Sequence, residues 1–152
     1  MTKLPDLQET VVLAASQATA WKLLTDESYV PRWLGCMQYE ARVGHVFFMQ
    51  PDPDKRAAAS IEGATHCEIL ALNEPDEFRF SWFLPGTPRT WVRFRLEAAG
   101  ASETRVHFSH GGWDRFDAEQ IRQIYDALAQ GWTSAVLPNL VRLAEAEGGK
   151  VS

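Results

Sequence analysis

Two stretches of alternating residues decide the fold of this chain: TWVRFRLE at positions 90–97 and ETRVHFSH at positions 103–110. In each stretch every second residue faces the same side; these residues are Val92, Phe94 and Leu96, then Thr104, Val106, Phe108 and His110. Because successive side chains of a strand point to opposite faces, the pattern predicts two antiparallel strands with one covered face. The small residues at 98–102 predict the turn between them.

More strands and two short helices are predicted upstream. The strands are expected at about 8–15, 37–43, 45–50, 58–72 and 78–84. The 58–72 strand is expected to bend at Gly63. Segment 51–56, with two prolines in three residues, is predicted to be a polar loop. The helices are expected after an N-cap at Ser16, to about residue 25, and over 28–34, where Gly35 ends the second one.

The segment 117–147 predicts a long amphipathic helix that covers the sheet. Asp117 and Gln120 resemble a capping box, and Pro138 is expected to kink the helix. Apolar residues recur at helical spacing: Ile121, Ile124, Tyr125, Leu128, Trp132, Ala135, Val136, Leu140 and Leu143. A single helix is only about 10 Å wide and cannot fill a broad concave sheet. Aromatic side chains or a ligand must therefore fill the remaining space.

The amino-acid composition limits the classes of protein to which this chain can belong. The 152 residues are 45% hydrophobic and 23% charged, which is typical of one globular domain. We expect a single domain over 1–152, with flexible ends at 1–7 and 148–152. The net charge of −5 and the lack of a basic cluster argue against nucleic-acid binding. No signal peptide or membrane span is recognised, so a cytoplasmic location is expected by default.

Few residues have the spacing that catalysis or metal binding requires. Cys36 and Cys67 form no C-x-x-C pair and are interpreted as buried or half-buried thiols in a reducing compartment. His107 and His110 are three apart in a strand, so they face opposite sides and cannot share a metal. No nucleophile elbow, phosphate loop or dinucleotide motif is present. Neither a metal nor another cofactor is expected.

Three motifs, in this order, carry a resemblance to a known family. The first runs from Val11 to Trp33 and includes Ala20-Trp21 and Thr25-Asp26. The second is a turn with Pro75 before Phe78-Arg-Phe-Ser-Trp82. The third is Thr104-Arg-Val-His-Phe-Ser-His-Gly-Gly-Trp113, followed by Gly131-Trp132, Val136-Leu137 and Leu140.

The chain resembles the START-like (SRPBCC) superfamily, in the branch named after the activator of the heat-shock-protein-ninety ATPase. The resemblance spans about residues 8–146. It implies an α+β helix-grip fold: a curved antiparallel sheet of six to seven strands around a long C-terminal helix, with a mainly hydrophobic cavity between them. It does not imply one function, because members of the superfamily bind lipids, sterols or polyketides, act as enzymes, or bind proteins.

The preferred hypothesis is binding of a small hydrophobic or amphipathic molecule in this cavity. Aromatic side chains and one histidine are the predicted ligand-binding residues: Trp33, Phe47, Phe80, Trp82, Phe94, Phe108, His110, Tyr125 and Trp132. Trp82 and Tyr125 are favoured as cavity liners because each also offers a polar tip. Each aromatic residue has a simpler interpretation as packed core, and His110 has one as a structural histidine that satisfies a backbone carbonyl.

Two other functions stay open at this point. One is a cyclase or hydrolase that uses the same cavity, with His110, Tyr125 or a bound water in the catalytic role. The other is a stress-related protein that binds a chaperone or a second copy through exposed aromatics such as Phe83, Trp91 or Trp113. Arg93 and Arg95 are interpreted as a solvated outer face; with the reverse face assignment, Trp91, Arg93 and His107 would point inward.

Overall fold

A single antiparallel sheet of seven strands dominates the fold, which a computed structural model describes from residue 4 to residue 148. The strands are β1 (Leu7–Leu13), β2 (Cys36–Met37), β3 (Val46–Met49), β4 (Thr65–Asn73), β5 (Glu77–Trp82), β6 (Thr90–Gly100) and β7 (Glu103–Gly111). Their order across the sheet is β1-β7-β6-β5-β4-β3-β2. Apart from the β1–β7 pair, every neighbour in the sheet is also a neighbour in the sequence.

The register of β6 and β7 confirms the predicted inner face. Phe94 lies opposite Phe108, and Val92 lies opposite His110. All four side chains are buried. The alternate residues Arg93 and His107 are partly exposed and face outward. The outer-face assignment of Arg93 and His107 is therefore correct.

Between residues 4 and 148 the chain forms five α-helices. They are α1 (Gln17–Thr25), α2 (Val30–Leu34), α3 (Pro53–Ala57), α4 (Ala118–Gly131) and α5 (Leu137–Glu147). A π-helical turn, Trp132–Val136, joins α4 to α5, so the chain stays helical from 118 to 147. This is the predicted helix-grip arrangement. Ser16 caps α1 by accepting a hydrogen bond from the Thr19 amide, and Asp117 caps α4 through the amides of Glu119 and Gln120.

Three local predictions differ from the structure. The strand predicted over 58–72 begins only at Thr65, because residues 58–64 form turns that include Gly63 at φ +76°. The loop predicted over 51–56 contains α3, whose N-cap is Asp52 and whose first position is Pro53. The pair predicted at 37–43 and 45–50 shortens to β2 and β3. The helix α3 forms where a loop was predicted because proline at the first helical position costs little and the Asp52 cap stabilises the helix.

The predicted flexible ends fall mostly on residues 1–3 and 149–152, which lie outside the described part of the chain. Of the remaining N-terminal residues, Leu4 is buried against Trp113, Ile121 and Tyr125. Leu7 is the first residue of β1. The N-terminal segment from Leu4 onward is therefore packed onto the C-terminal helix.

Candidate functional site

A pocket of about 600 Å³ opens between the sheet and the C-terminal helix. Drug-sized ligands usually occupy pockets of roughly 300–1,000 Å³. Its walls come from α2, the end of β3, α3, the start of β4, the end of β5 and the C-terminal helix. The apolar part of the lining consists of Trp33, Leu34, Met49, Pro51, Trp82, Ile124, Ala127, Leu128 and Val136.

Polar side chains of the lining are few: Arg32, Gln50, Arg56, Thr65 and Asn139. Gln50 is buried, although its side chain ends in a polar amide. Its Nε2 donates to the carbonyls of Ser60 and Glu62, both at 3.0 Å. Its Oε1 accepts from the Asp52 amide at 3.2 Å. Gln50 thus fastens the segment that carries α3 beside the pocket.

Two of the nine predicted ligand-binding residues line this pocket. Trp33 is almost fully buried, and its indole N–H donates to the Leu23 carbonyl at 3.0 Å. Trp82 is half-buried at the end of β5. Within residues 4–148 the indole N–H of Trp82 has no hydrogen-bond acceptor.

Five other predicted residues form a packed aromatic layer away from the pocket lining: Phe47, Phe80, Phe94, Phe108 and Trp132. Phe94 lies at the centre of this layer. Its ring centroid is 5.5 Å from those of Trp33 and Phe108, and 6.3 Å from that of Trp132. These distances are typical of stabilising aromatic pairs. The space under the C-terminal helix is thus filled largely by side chains, and the pocket lies beside them.

His110 is fully buried, and both of its ring nitrogens are occupied. The Trp132 indole N–H donates to Nδ1 at 3.2 Å. The Thr90 hydroxyl lies 2.8 Å from Nε2 and also donates to the Trp82 carbonyl at 2.8 Å. An indole nitrogen can only donate, so Nδ1 is the acceptor and Nε2 carries the proton. His110 therefore donates to Thr90 as a neutral imidazole.

Burial also lowers the pKa of His110, to about 3. The charged form would lose its hydration and would also face the Trp132 N–H. A general base needs a free lone pair near the substrate. His110 offers none and does not line the pocket, so the geometry favours its structural interpretation.

Tyr125 lies in a separate small cluster with Leu4, Trp113 and Ile121. Its hydroxyl donates to the Pro5 carbonyl at 2.6 Å, and its ring meets Trp113 edge-on at 5.3 Å. Its polar tip is thus used within the protein, outside the pocket. Trp113 is buried as well, so the expectation that it is exposed for partner binding is wrong.

Both cysteines are buried thiols, as their spacing indicated. Burial raises the pKa of Cys36 to about 12 and raises that of Cys67 as well. Neither thiol is available as a nucleophile. Within residues 4–148, no three His, Cys, Asp or Glu side chains gather as a metal site would require.

The sequence model of one protein family, the Activator of Hsp90 ATPase homolog 1-like proteins, matches residues 14–145. The chain belongs to this family. The match covers strands β2 to β7, the aromatic layer and nearly all of the C-terminal helix, and it confirms the resemblance seen in the sequence. A search of the curated proteins gave no match.

Solved structures share the fold of this family member. A protein from Mesorhizobium loti superposes with a TM-score of 0.71 at 23% identity, over 91% of this chain and 97% of the other. The Aha1 dimer from Colwellia psychrerythraea gives 0.70 at 16% identity, over 93% and 97%. DynU16, a putative protein in the dynemicin biosynthetic locus, gives 0.69 at 20% identity, over 97% of this chain and 49% of that one. At these identities the likeness establishes the fold.

Most of the residues that line the pocket were not predicted from the sequence as ligand-binding residues. Ile124, Leu128 and Val136 belong to the helical stripe that was read as sheet-covering surface. Arg32 and Arg56 carried no signal, because only the fold brings α2 and α3 to the same opening.

Between residues 4 and 148, no helix combines the length and the apolar character needed to cross a membrane.

Proposed function

We propose that this family member binds a small apolar or amphipathic molecule in the pocket beside Trp33 and Trp82. The observation that carries the proposal is a preformed opening of about 600 Å³ with mainly apolar walls. At about 30 Å³ per water-sized group, it has room for at most roughly 20 non-hydrogen atoms. Exposed apolar surface of this kind is costly when it stays hydrated, which favours an occupant.

The apolar area that a ligand can bury in the pocket sets the affinity to expect. A ligand that buries on the order of 300 Å² of apolar surface gains roughly 7 kcal/mol at 25 cal/mol per Å². Association and ordering remove several kcal/mol of this gain. About 4 kcal/mol then remains, so dissociation constants near 1 mM are expected for unoptimised ligands.

The experiment compares two substitutions on the C-terminal helix. Ala127 lies in the pocket wall, whereas Ala146 is exposed on α5 and does not line the pocket. Native mass spectrometry of fresh protein, and tryptophan fluorescence during titration with decanol and decanoate, report binding. We expect Ala127→Phe to abolish binding and Ala146→Phe to retain it. Equal binding by both variants, or no binding by the wild type, contradicts the proposal.

A protein-interaction role is the second candidate, and one surface feature favours it. Leu70, Arg79, Trp91 and Arg93 border a shallow groove on the outer face of the sheet. Trp91 and the neighbouring Phe83 are half-buried. Analytical ultracentrifugation of the wild type and of Trp91→Ser tests a homodimer through this face. A monomeric wild type at all concentrations rules that dimer out.

The enzyme alternative has less support. Of its two named catalytic candidates, His110 has both nitrogens occupied and Tyr125 lies outside the pocket. A cytoplasmic location and a role in the stress response stay predictions from the sequence.

A further inference from the structure

We infer that the molecule bound in this pocket is an amphipathic anion whose carboxylate or phosphate group binds Arg56. The inference rests on the proposed function and adds the chemical class of the ligand. It begins from the charges at the opening. Arg32 and Arg56 both line the pocket, and no Asp or Glu does. The protein has a net charge of −5, whereas the charged side chains at this opening are positive.

The two arginines differ in their partners. Arg32 forms an ion pair with Glu147 of α5, at 3.2 Å. Arg56 makes no ion pair within residues 4–148, although two acidic residues lie near it in the sequence. The Asp52 carboxylate accepts from the amides of Asp54 and Lys55 as the N-cap of α3. The guanidinium of Arg56 thus keeps its donors for another acceptor.

Arg56 is exposed, and the backbone of the segment that carries it is held beside the pocket. The segment 51–62 is held at both ends by the buried amide of Gln50, which bonds to the backbone of Asp52, Ser60 and Glu62. The planar fork of a guanidinium fits a carboxylate or phosphate with two parallel hydrogen bonds.

The apolar pocket walls and the positively charged rim of the opening favour a ligand that has an apolar part and a negatively charged part. An uncharged apolar molecule would bury its body but leave Arg56 unpaired. A cationic amphiphile would place like charges together at the opening. A small inorganic anion would not cover the apolar walls formed by Trp33 and Trp82. The arrangement fits an apolar chain or ring system that ends in an oxyanion.

The test uses three probes with the same apolar chain: decanoate, decyl phosphate and 1-decanol. Binding is followed by the fluorescence of the pocket tryptophans and checked by calorimetry. The variant is Arg56→Gln. The matched control is Arg115→Gln, which removes an exposed arginine from the 3₁₀ turn Trp113–Arg115, away from the pocket. Both variants lower the net charge of the protein by the same amount.

We expect the wild type to bind one or both anionic probes roughly five- to tenfold more tightly than decanol. Arg56→Gln should remove this preference and leave decanol binding within about twofold, while Arg115→Gln should retain it. The preference should also shrink as salt rises from about 20 to 500 mM, because screening weakens a partly exposed pair. The ratio of decanoate to decyl phosphate binding identifies the head group.

Equal binding of all three probes, or an unchanged preference in Arg56→Gln, overturns the inference while the proposed function stands. Tighter binding of decanol than of either anion overturns it in the same way. If none of the three probes binds the wild type, the proposed function fails together with the inference.

Discussion

The buried imidazole of His110 makes the stability of this protein depend on pH in a predictable direction. The pKa of His110 is about 3 in the fold, against an ordinary value of 6.5. Between these values the unfolded chain binds a proton that the native chain does not. The free energy of unfolding therefore rises with pH across this window. The contribution is complete above pH 6.5 and is lost as the pH falls towards 3.

The magnitude follows from the shift. Each pH unit inside the window changes the free energy of unfolding by about 1.4 kcal/mol. Lowering the pH from 7.5 to 5 covers about 1.5 units of it, so His110 should account for a loss of about 2 kcal/mol. Urea denaturation followed by tryptophan fluorescence at pH 5, 6, 7 and 7.5 measures this loss.

Two variants separate the imidazole from its surroundings. His110→Gln cannot titrate, yet its amide can accept from Trp132 and donate to Thr90, so it should lose about 2 kcal/mol less than the wild type over the same range. Trp132→Phe removes the donor and keeps the imidazole. It should be less stable by roughly 1–3 kcal/mol at every pH while the slope remains. If His110→Gln shows the same slope as the wild type, the buried neutral histidine is not the cause.

Three further predictions concern other parts of the fold. Cys36 and Cys67 should resist Ellman's reagent at pH 8 in the native state, because a pKa of about 12 makes the Cys36 thiolate about a thousandfold rarer than usual; rapid labelling without urea would contradict this. Gln50→Leu should cost roughly 1–3 kcal/mol in urea denaturation and accelerate hydrogen exchange in segment 51–62, since its carbonyl partners lose their donor; unchanged exchange would mean that other contacts hold the segment. Gly112→Ala should lower the Tm, with a cost of roughly 1–3 kcal/mol, because Gly112 has φ +91° and an added Cβ would lie 3.1 Å from the Thr90 Cα. Gly131→Ala, in an open helical position, is its control and should raise the Tm slightly.

The sequence predicted the parts of the fold that rest on a regular period. The alternation at 90–97 and 103–110 correctly gave the inner face of β6 and β7, and the helical spacing after Asp117 gave the C-terminal helix. Segment 58–64 was assigned to a strand, whereas the glycine turn at Gly63 and the bonds from Gln50 hold it in a different conformation. Those bonds are long-range and leave no local pattern.

The candidate site was harder to predict, for a physical reason. A buried aromatic side chain has the same type and spacing whether it packs against other side chains or faces an opening. Trp33 and Trp82 meet the pocket, while Phe94 lies among other rings in the layer beside it. The rim was missed because Arg32 and Arg56 come from two helices that are separate in sequence. Only the tertiary structure brings these two arginines to the same opening.

The π-helical turn at 132–136 divides the C-terminal helix into two halves that are anchored very differently. The second half, α5, buries Leu137, Leu140, Leu143 and Ala144. The first half, α4, buries only Ile121 and Tyr125, and it supplies the Ile124, Ala127 and Leu128 wall of the pocket. The pocket wall thus lies on the half of the helix that contributes fewer buried side chains to the core.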